Sequence, residues 1–376
     1  MENLQPKLRF PEFKEDWESD KIGNLLSIQS GKDYKHLKEG NIPVYGTGGL
    51  MLHVNDFLHD GKSVCIGRKG TIDKPMFLNG KFWTVDTLFY SNNFKNTIPE
   101  YVYLCFLKIN WKNHNEAGGV PSLSKKIINN ILLSYPTLQE QTKIADFLGA
   151  VDKQLDILNQ KKEKLTTYKK GVMQQLFSQQ IRFKDDNGND FPDWQEKKIK
   201  DLFIYKNGKS FENDLDDNGK YFLISLNSID ISGELKKTHK RLNNSDNSLS
   251  KGDIVMVLSD VAHGNFLGLS AVLPNDNFVL NQRMAALKPF TEDNTFFIRY
   301  LINFNQKYFK LKGQGSSQLN LSKGDVENFK FFNPSIEEQT KIANFLSAID
   351  NQIETVENQI TKTETYKKGL LQQMFV

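Results

Sequence analysis

Two stretches of the chain place apolar residues at alternating steps of three and four. In the first they fall at Leu148, Val151, Leu155, Leu158, Leu165, Val172 and Leu176, and in the second at Leu346, Ile349, Ile353, Val356, Ile360, Leu370 and Met374. A repeat of 3.5 residues keeps one apolar stripe turned toward a partner helix, so the pattern predicts coiled-coil helices. No proline interrupts Gln139 to Phe177, and a helix of that length at about 1.5 Å per residue makes a rod of roughly 57 Å. Lys162, Lys169, Thr363 and Lys367 enter the same seam, where polar residues weaken packing and fix register. Gly171 and Gly369 each cost about 1 kcal/mol inside a helix. They mark either the helix ends or a close approach to another chain.

The two stretches are copies. EQTKIADFLGAVDKQLDILNQKKEKLTTYKKGVMQQLF (140–177) aligns without a gap with EQTKIANFLSAIDNQIETVENQITKTETYKKGLLQQMF (338–375). Twenty of the 38 positions are identical, at a constant offset of 198. Upstream, Leu123-Ser124-Lys125 matches Leu321-Ser322-Lys323 and Pro136 matches Pro334 at the same offset. Farther upstream, DWESDKIGNLLSIQSGK (16–32) resembles DWQEKKIKDLFIYKNGK (193–209) at an offset of 177, so an insertion of 21 residues is expected inside the second globule. The chain therefore divides into a globule (1–138), a helix (139–178), a second globule (179–336) and a second helix (337–376). Paired antiparallel within one chain, the helices would create a pseudo-twofold axis and hold the globules at its two ends.

Within the globules the period changes. Short apolar runs such as SVCIG, KFWTVDTLFY, YFLISL, GDIVMVLS and NFVLNQRMAAL are separated by Gly, Asn and Asp, which predicts strands and turns. Helical stretches at 101–109 and 296–304 follow them. The expected fold class is α+β, with two β-rich globules and two long helices.

Composition narrows the class further. At 376 residues the chain is too long for one ordinary core, and 38% hydrophobic with 25% charged residues suits a folded, water-soluble protein. Cys65 and Cys105 form no ligand pattern and suit a reducing cytosol. No run approaches 18 apolar residues, so no membrane partner is expected. Net charge is +4, but residues 1–182 carry +6 and the remainder −2. A diffuse basic surface would not leave half the chain acidic, so any grip on nucleic acid must come from local grooves.

Searching for catalysis returns little. Gly61-Lys62-Ser63 and Gly208-Lys209-Ser210 end like a phosphate loop but lack the glycine five residues earlier, and with it the converging amides that cradle phosphates. Asn333-Pro334-Ser335 is the nearest fragment to an amino-methyltransferase motif. Asp193, Glu196 and Lys198 imitate nuclease letters, but the segment around Asp16 and Trp17 lacks the lysine. Histidines 36, 53, 59, 114, 239 and 263 show no metal-ligand spacing. No catalytic residue and no metal ligand is assigned.

The loops do hold what a DNA reader needs. Arg68, Lys69, Thr71 and Lys74 lie on a Gly-flanked turn after SVCIG, and Tyr45 and Thr47 sit in a second flexible loop. Lys32, Thr87, Ser122 and Lys125 complete the first set. In the second globule the corresponding segments supply Lys209, Ser259, His263, Asn265, Gln282, Arg283, Ser316, Ser317, Gln318, Asn320 and Lys323. Such side chains donate to phosphates and base edges. LNQRMA (280–285) matches TVDTLF (84–89) at an offset of 196, yet Asp86-Thr87 is replaced by Gln282-Arg283. A repeated framework with divergent polar loops fits two scaffolds that read two different half-sites.

The paired EQTKIA…YKKG…QQ(L/M)F tracts, the Asp-Trp starts and the Leu-Ser-Lys before each tract resemble the specificity subunit of type I restriction-modification systems, over essentially the whole chain. The resemblance implies two target recognition domains, each reading half of a split double-stranded DNA target, joined by antiparallel spacer helices. It implies no enzymatic activity and no cofactor in this chain. Two methylation subunits, which methylate adenine with S-adenosylmethionine, and two restriction subunits, which use ATP and Mg, are the implied partners, in the cytoplasm. The helices would act as a ruler, with Gln174, Gln175, Gln372, Gln373, Lys169-Lys170 and Lys367-Lys368 as docking surface. A specificity subunit of a related bipartite-site system, a freestanding DNA-modifying enzyme and a DNA-independent adaptor remain the alternatives.

Overall fold

A computed structural model describes residues 5–237, 239–246, 248–261 and 264–376, apart from the side chain of Glu212. The chain forms two compact units, Met1–Lys161 with Val356–Val376, and Lys162–Thr355. Each unit thus holds one globule together with part of each long helix, Leu138–Phe177 and Ile336–Gln373.

In the first unit, a four-stranded antiparallel sheet runs in the order Ser27–Ser30, Leu88–Asn92, Ser63–Gly67, Met76–Leu78. Its strand SVCIG is buried at every residue, as a continuous apolar run predicts for a strand covered on both faces. A second sheet contains a parallel step, Val44 opposite Trp83 and Tyr45 opposite Thr84. Helix Pro99–Lys108 packs on the first sheet and buries Tyr101, Val102 and Phe106.

The second unit repeats this plan. Its four-stranded sheet runs Phe203–Asn207, Met284–Pro289, Ile254–Val257, Ser270–Val272. The parallel step recurs between Tyr221–Ile224 and Phe278–Leu280, and helix Thr295–Phe304 takes the place of Pro99–Lys108. The fold class is α+β, with β-rich globules joined to long helices.

Matched backbone hydrogen bonds give the correspondence residue by residue. Lys32 N donates to Thr84 O as Lys209 N does to Leu280 O, and Val85 N to Tyr45 O as Asn281 N to Ile224 O. Further along, Arg68 N donates to Thr87 O as Leu258 N does to Arg283 O, and Leu123 N to Arg68 O as Leu321 N to Leu258 O. The offset therefore climbs from 177 at Lys32 to 179 at Tyr45, 190 at Arg68, 196 at Thr84 and 198 at Leu123. This corrects the expectation of one insertion. The 21 extra residues are spread over four places, because loops between fixed hydrogen-bonded steps lengthen independently.

Each long helix begins alike. Thr137 Oγ1 accepts from Glu140 N and Ser335 Oγ from Glu338 N, both at 3.4 Å, which satisfies an amide that the first turn leaves unpaired. In unit 1, Ile144 and Leu148 from the start of the first helix share a core with Leu370, Met374 and Phe375 from the end of the second. In unit 2, Val172 and Leu176 share a core with Ile342, Leu346 and Ile349. In each unit the two helix stretches are antiparallel.

Leu148, Leu158, Leu346, Ile349 and Val356 are buried, and Val151, Leu155, Leu165, Ile353 and Ile360 are half-buried. A fully buried leucine such as Leu148 is worth roughly 1.5–3 kcal/mol over an exposed one. The helices continue through both glycines, and a Cβ at Gly171 or Gly369 would meet nothing within 4 Å. The glycines therefore do not mark the helix ends, and within this chain nothing approaches them closely. A second correction concerns the expected docking surface, because the seam positions expected for Lys169 and Lys367 are the ones observed. Lys170 and Lys368 are exposed as expected, but Lys169 and Lys367 are turned into the seam, paired with Asp350 and Asp152.

Candidate nucleic-acid interface

The same three-segment platform is built in both units. Its floor is a close crossing at the Gly-Lys pairs. A Cβ on Gly31 would lie 2.0 Å from Val85 O, and one on Gly208 would lie 1.9 Å from Asn281 O. Only glycine lets the strand end approach this closely, and it places Lys32 and Lys209, both exposed, beside the platform.

Next comes the residue after the central strand. Arg68 N donates to Thr87 O at 2.8 Å and Arg68 O accepts from Leu123 N at 2.9 Å. Leu258 makes the same pair of bonds, to Arg283 O at 3.0 Å and from Leu321 N at 2.8 Å. Three loops distant in sequence are thereby stitched side by side: the end of the central strand, the turn entering the next strand, and the polar loop before Leu-Ser-Lys. Ser124 and Ser322 then cap short helices through their hydroxyls.

In unit 1 the platform borders a groove of about 850 Å³ lined by Arg68, Lys69, Asp86, Thr87, Glu116, Ser122 and Lys125, among others. Five residues nominated from the sequence, Arg68, Lys69, Thr87, Ser122 and Lys125, therefore meet in one groove. Lys69 bridges to Ser122, and the Lys125 ammonium lies 6.0 Å above the Phe89 ring. Thr71 is half-buried on the same turn, which the buried Ile72 pins down. Tyr45 is half-buried on its strand, and Thr47 Oγ1 would lie 3.7 Å from a Cβ on Gly70. Lys74 is exposed and does not line the groove.

In unit 2 the end of the central strand and the polar loop pair more extensively, Ser259–Val261 against Gln318–Asn320. Ser259 is buried; its hydroxyl donates to Asn320 Oδ1 at 2.7 Å and accepts from Gln318 Nε2. These three side chains are largely committed to one another. Buried Asp260 accepts from Val261 N and Phe266 N, closing a loop in which a Cβ on Gly264 would strike its carboxylate at 2.0 Å.

Asn265 is exposed on that loop and accepts from Gln306 and Lys310. His263 lies outside the described residues. Ser316 and Ser317 are exposed beside Gly315, whose φ is 127°. Gln282 and Arg283 are exposed on the turn. Lys323 lies 5.9 Å above the Tyr205 ring and 3.4 Å from Glu327. Burial, and then Glu327, push the Tyr205 hydroxyl up to about 12, so it stays a neutral donor, to Asn207 Oδ1 at 2.7 Å.

Sequence reasoning missed the residues that fasten each globule to its helix. Arg9 Nε and Nη2 both donate to the buried Glu140 at 2.8 Å. Arg182 grips the equivalent Glu338 at 3.2 and 2.7 Å. The carboxylate raises each guanidinium further above its ordinary value, partly offset by burial. Gln141 and Gln339 each bond backbone at both amide atoms, to Ile98 N and Pro136 O, and to Asn294 N and Pro334 O. The Glu-Gln of each EQTKIA tract is thus an anchor. The available signal was the pair Leu-Arg-Phe (8–10) and Ile-Arg-Phe (181–183).

The nuclease-like and phosphate-loop letters dissolve into surface pairing, Glu196 with Lys330 and Lys62 with Glu100. Among the described residues no cluster of three His, Cys, Asp or Glu could hold a metal, and no helix is long and apolar enough to cross a membrane.

A duplicated α+β scaffold, carrying the same loop platform with different polar side chains in each copy, defines a two-part recognition protein. The family model of the type I restriction modification DNA specificity domain matches residues 14–167 and again 192–364, so the chain belongs to that family and carries its domain twice. It is 27% identical, over 97% of its own length and 92% of the relative's, to the type I restriction enzyme MjaVIII specificity subunit of Methanocaldococcus jannaschii.

In fold it is similar to the type I restriction-modification system S subunit from M. genitalium, with a TM-score of 0.71, 15% identity and 99% of both chains covered. It is also similar, with a TM-score of 0.57 and 14% identity over 95% and 96% of the two chains, to a chain from a structure on complex assembly and conformational transition of the type I R-M system. The chain is a DNA sequence-specificity subunit, and the family's domain is one of recognition and not of catalysis. DNA and partner subunits go with that role.

Proposed function

We propose that each unit reads one half of a bipartite duplex target and that the paired helices set the unread gap between the halves. The observation that carries this reading is the platform itself: identical backbone bonds at Arg68–Thr87 and Leu258–Arg283, with unlike side chains mounted on them. One scaffold used twice with different polar groups reads two different sequences. Half-sites on one face of B-DNA lie about 34 Å apart or a multiple of it, a distance that helices of this length can span.

The exposed Gln174, Gln175, Gln372 and Gln373, with Lys170 and Lys368, form a docking surface for two methylation subunits, which recruit two restriction subunits. S-adenosylmethionine, ATP and Mg belong to those partners, and the complex works in the cytoplasm. The test is domain exchange. Replacing residues 1–138 by the matching domain of another family member, in the complete complex, changes one half of the methylated sequence and leaves the other intact. A change in both halves, or in neither, overturns the two-reader reading.

A further inference from the structure

The sequence contains six arginines, and four are engaged within their own units. Arg9 and Arg182 grip Glu140 and Glu338. Arg299 is buried against Glu234 at 2.6 Å, and Arg241, though exposed, lies 4.9 Å above the Phe222 ring, away from the platform step. The remaining two, Arg68 and Arg283, are exposed and occupy the same backbone step. In unit 1 the arginine is at the donor end of the bond, Arg68 N to Thr87 O; in unit 2 it is at the acceptor end, Leu258 N to Arg283 O. The Arg68 guanidinium makes one long contact, 3.4 Å to the Asp86 carbonyl.

We propose that Arg68 and Arg283 are the guanine-reading residues of the two units, each offering its planar fork to O6 and N7 of one guanine in the major groove. The proposal rests on the half-site reading above. Arg68 and Arg283 combine exposure, a fixed backbone and a five-donor fork, and bidentate arginine on guanine is the commonest specific base contact.

A phosphate role is disfavoured by the neighbours. Asp86 and Glu116 line the groove with Arg68, while Lys69 and Lys125 in the same lining are its phosphate donors; carboxylates repel phosphates and accept from base amino groups. In unit 2 the neutral Gln282 takes the place of Asp86. The lysines behave differently. Lys32 and Lys209, and Lys125 and Lys323, recur at equivalent positions in both units. Backbone contacts carry no sequence information and need not differ between readers, whereas the arginine has moved from one end of the step to the other.

The test uses the complex of this chain with the methylation subunits of its own system, selecting duplexes from a random library at several salt concentrations. The selected target contains a G·C pair in each half. Arg68→Ala relaxes one such pair in one half-site, and Arg283→Ala one in the other, with discrimination there falling about ten- to a hundredfold and the remaining positions unchanged. Arg68→Lys and Arg283→Lys retain the charge and report even where an alanine variant folds poorly. They lose the same discrimination while keeping the salt dependence.

A uniform loss of affinity with a salt slope reduced by about one marks a phosphate contact and overturns the proposal, as does unaltered selectivity or a half-site without a G·C pair. If the unsubstituted complex selects no bipartite sequence, the half-site reading itself fails.

Discussion

Lys169 donates to Asp350 across the helix seam, and 198 residues on, with the roles of the two helices exchanged, Lys367 donates to Asp152. The two ion pairs are images of each other in the internal repeat, one in each unit, but their surroundings differ. Asp350 also accepts from the Tyr300 hydroxyl at 2.6 Å, burial pushes that hydroxyl far above its ordinary range, and the Lys169 ammonium lies 5.1 Å over the same ring. Asp350→Ala removes the carboxylate that both groups share, leaving the Tyr300 hydroxyl only Ser347 Oγ at 3.2 Å, and costs about 2 kcal/mol. Asp152 is 38% exposed, so Asp152→Ala costs about 1 kcal/mol or less. Urea unfolding midpoints of the two variants measure the difference, and equal losses would refute the asymmetry.

The arginine clamps carry a larger energy. Glu338 is fully buried and accepts from Arg182 and from Trp194 Nε1 at 3.0 Å. Glu338→Ala leaves the indole N–H without an acceptor and the Arg182 guanidinium with the Phe191 and Pro192 carbonyls in place of its buried carboxylate, and costs about 3 kcal/mol. Glu140 is as deeply buried, but Trp17 Nε1 makes no hydrogen bond. Glu140→Ala is therefore milder by about 1 kcal/mol, one neutral hydrogen bond. The exposed pair Lys330–Glu196 is worth at most about 1 kcal/mol, and its removal is the control in the same unfolding series.

Both cysteines lie in unit 1, Cys65 fully buried and Cys105 8% exposed, with burial pushing each thiol up to about 12. A thiol whose pKa is raised stays protonated and unreactive across the neutral range, since the thiolate is the nucleophile. At pH 8 a thiol reagent is expected to modify neither Cys65 nor Cys105 in the folded chain and both after denaturation. Modification rates under native conditions then report opening of unit 1 alone. Fast labelling of either residue in the folded chain contradicts the burial described.

The long helices and the duplication could be inferred from sequence because both are local, periodic signals. A 3.5-residue stripe names its own buried positions, from Leu148 to Ile360, and a constant offset of 198 needs no tertiary information. The clamps could not be inferred this way, because Arg9 is 131 residues from Glu140 and no periodicity links them. The same holds for the platform. Arg68, Thr87 and Leu123 are joined by backbone bonds, which leave no mark on side-chain identity. Ser259 illustrates the consequence, since a serine in a polar stretch reads as exposed until its strand pairs with Gln318–Asn320 and buries it. The four small insertions were hidden for a related reason. Total length records their sum, and only the matched hydrogen bonds reveal where each falls.

If the helices set the unread gap, then lengthening them changes the gap in quantised steps. Glu163 is exposed, as is Thr361 at the equivalent place on the second helix, so both accept added turns without burying new polar groups. Four residues inserted at each site add about 6 Å of helix, close to two base pairs at about 3.4 Å each, and shift the heptad phase by half a residue, a stutter that coiled coils absorb by local unwinding. The expected methylated target keeps both half-sites and gains about two base pairs between them. Insertion at Glu163 alone shifts the first helix against an unlengthened partner. It would have to break either the Lys169–Asp350 or the Asp152–Lys367 pair, and a lower urea midpoint is expected. Sequencing of the methylated sites decides the matter: an altered half-site, or an unchanged gap after paired insertion, would show that the distance between readers is set elsewhere.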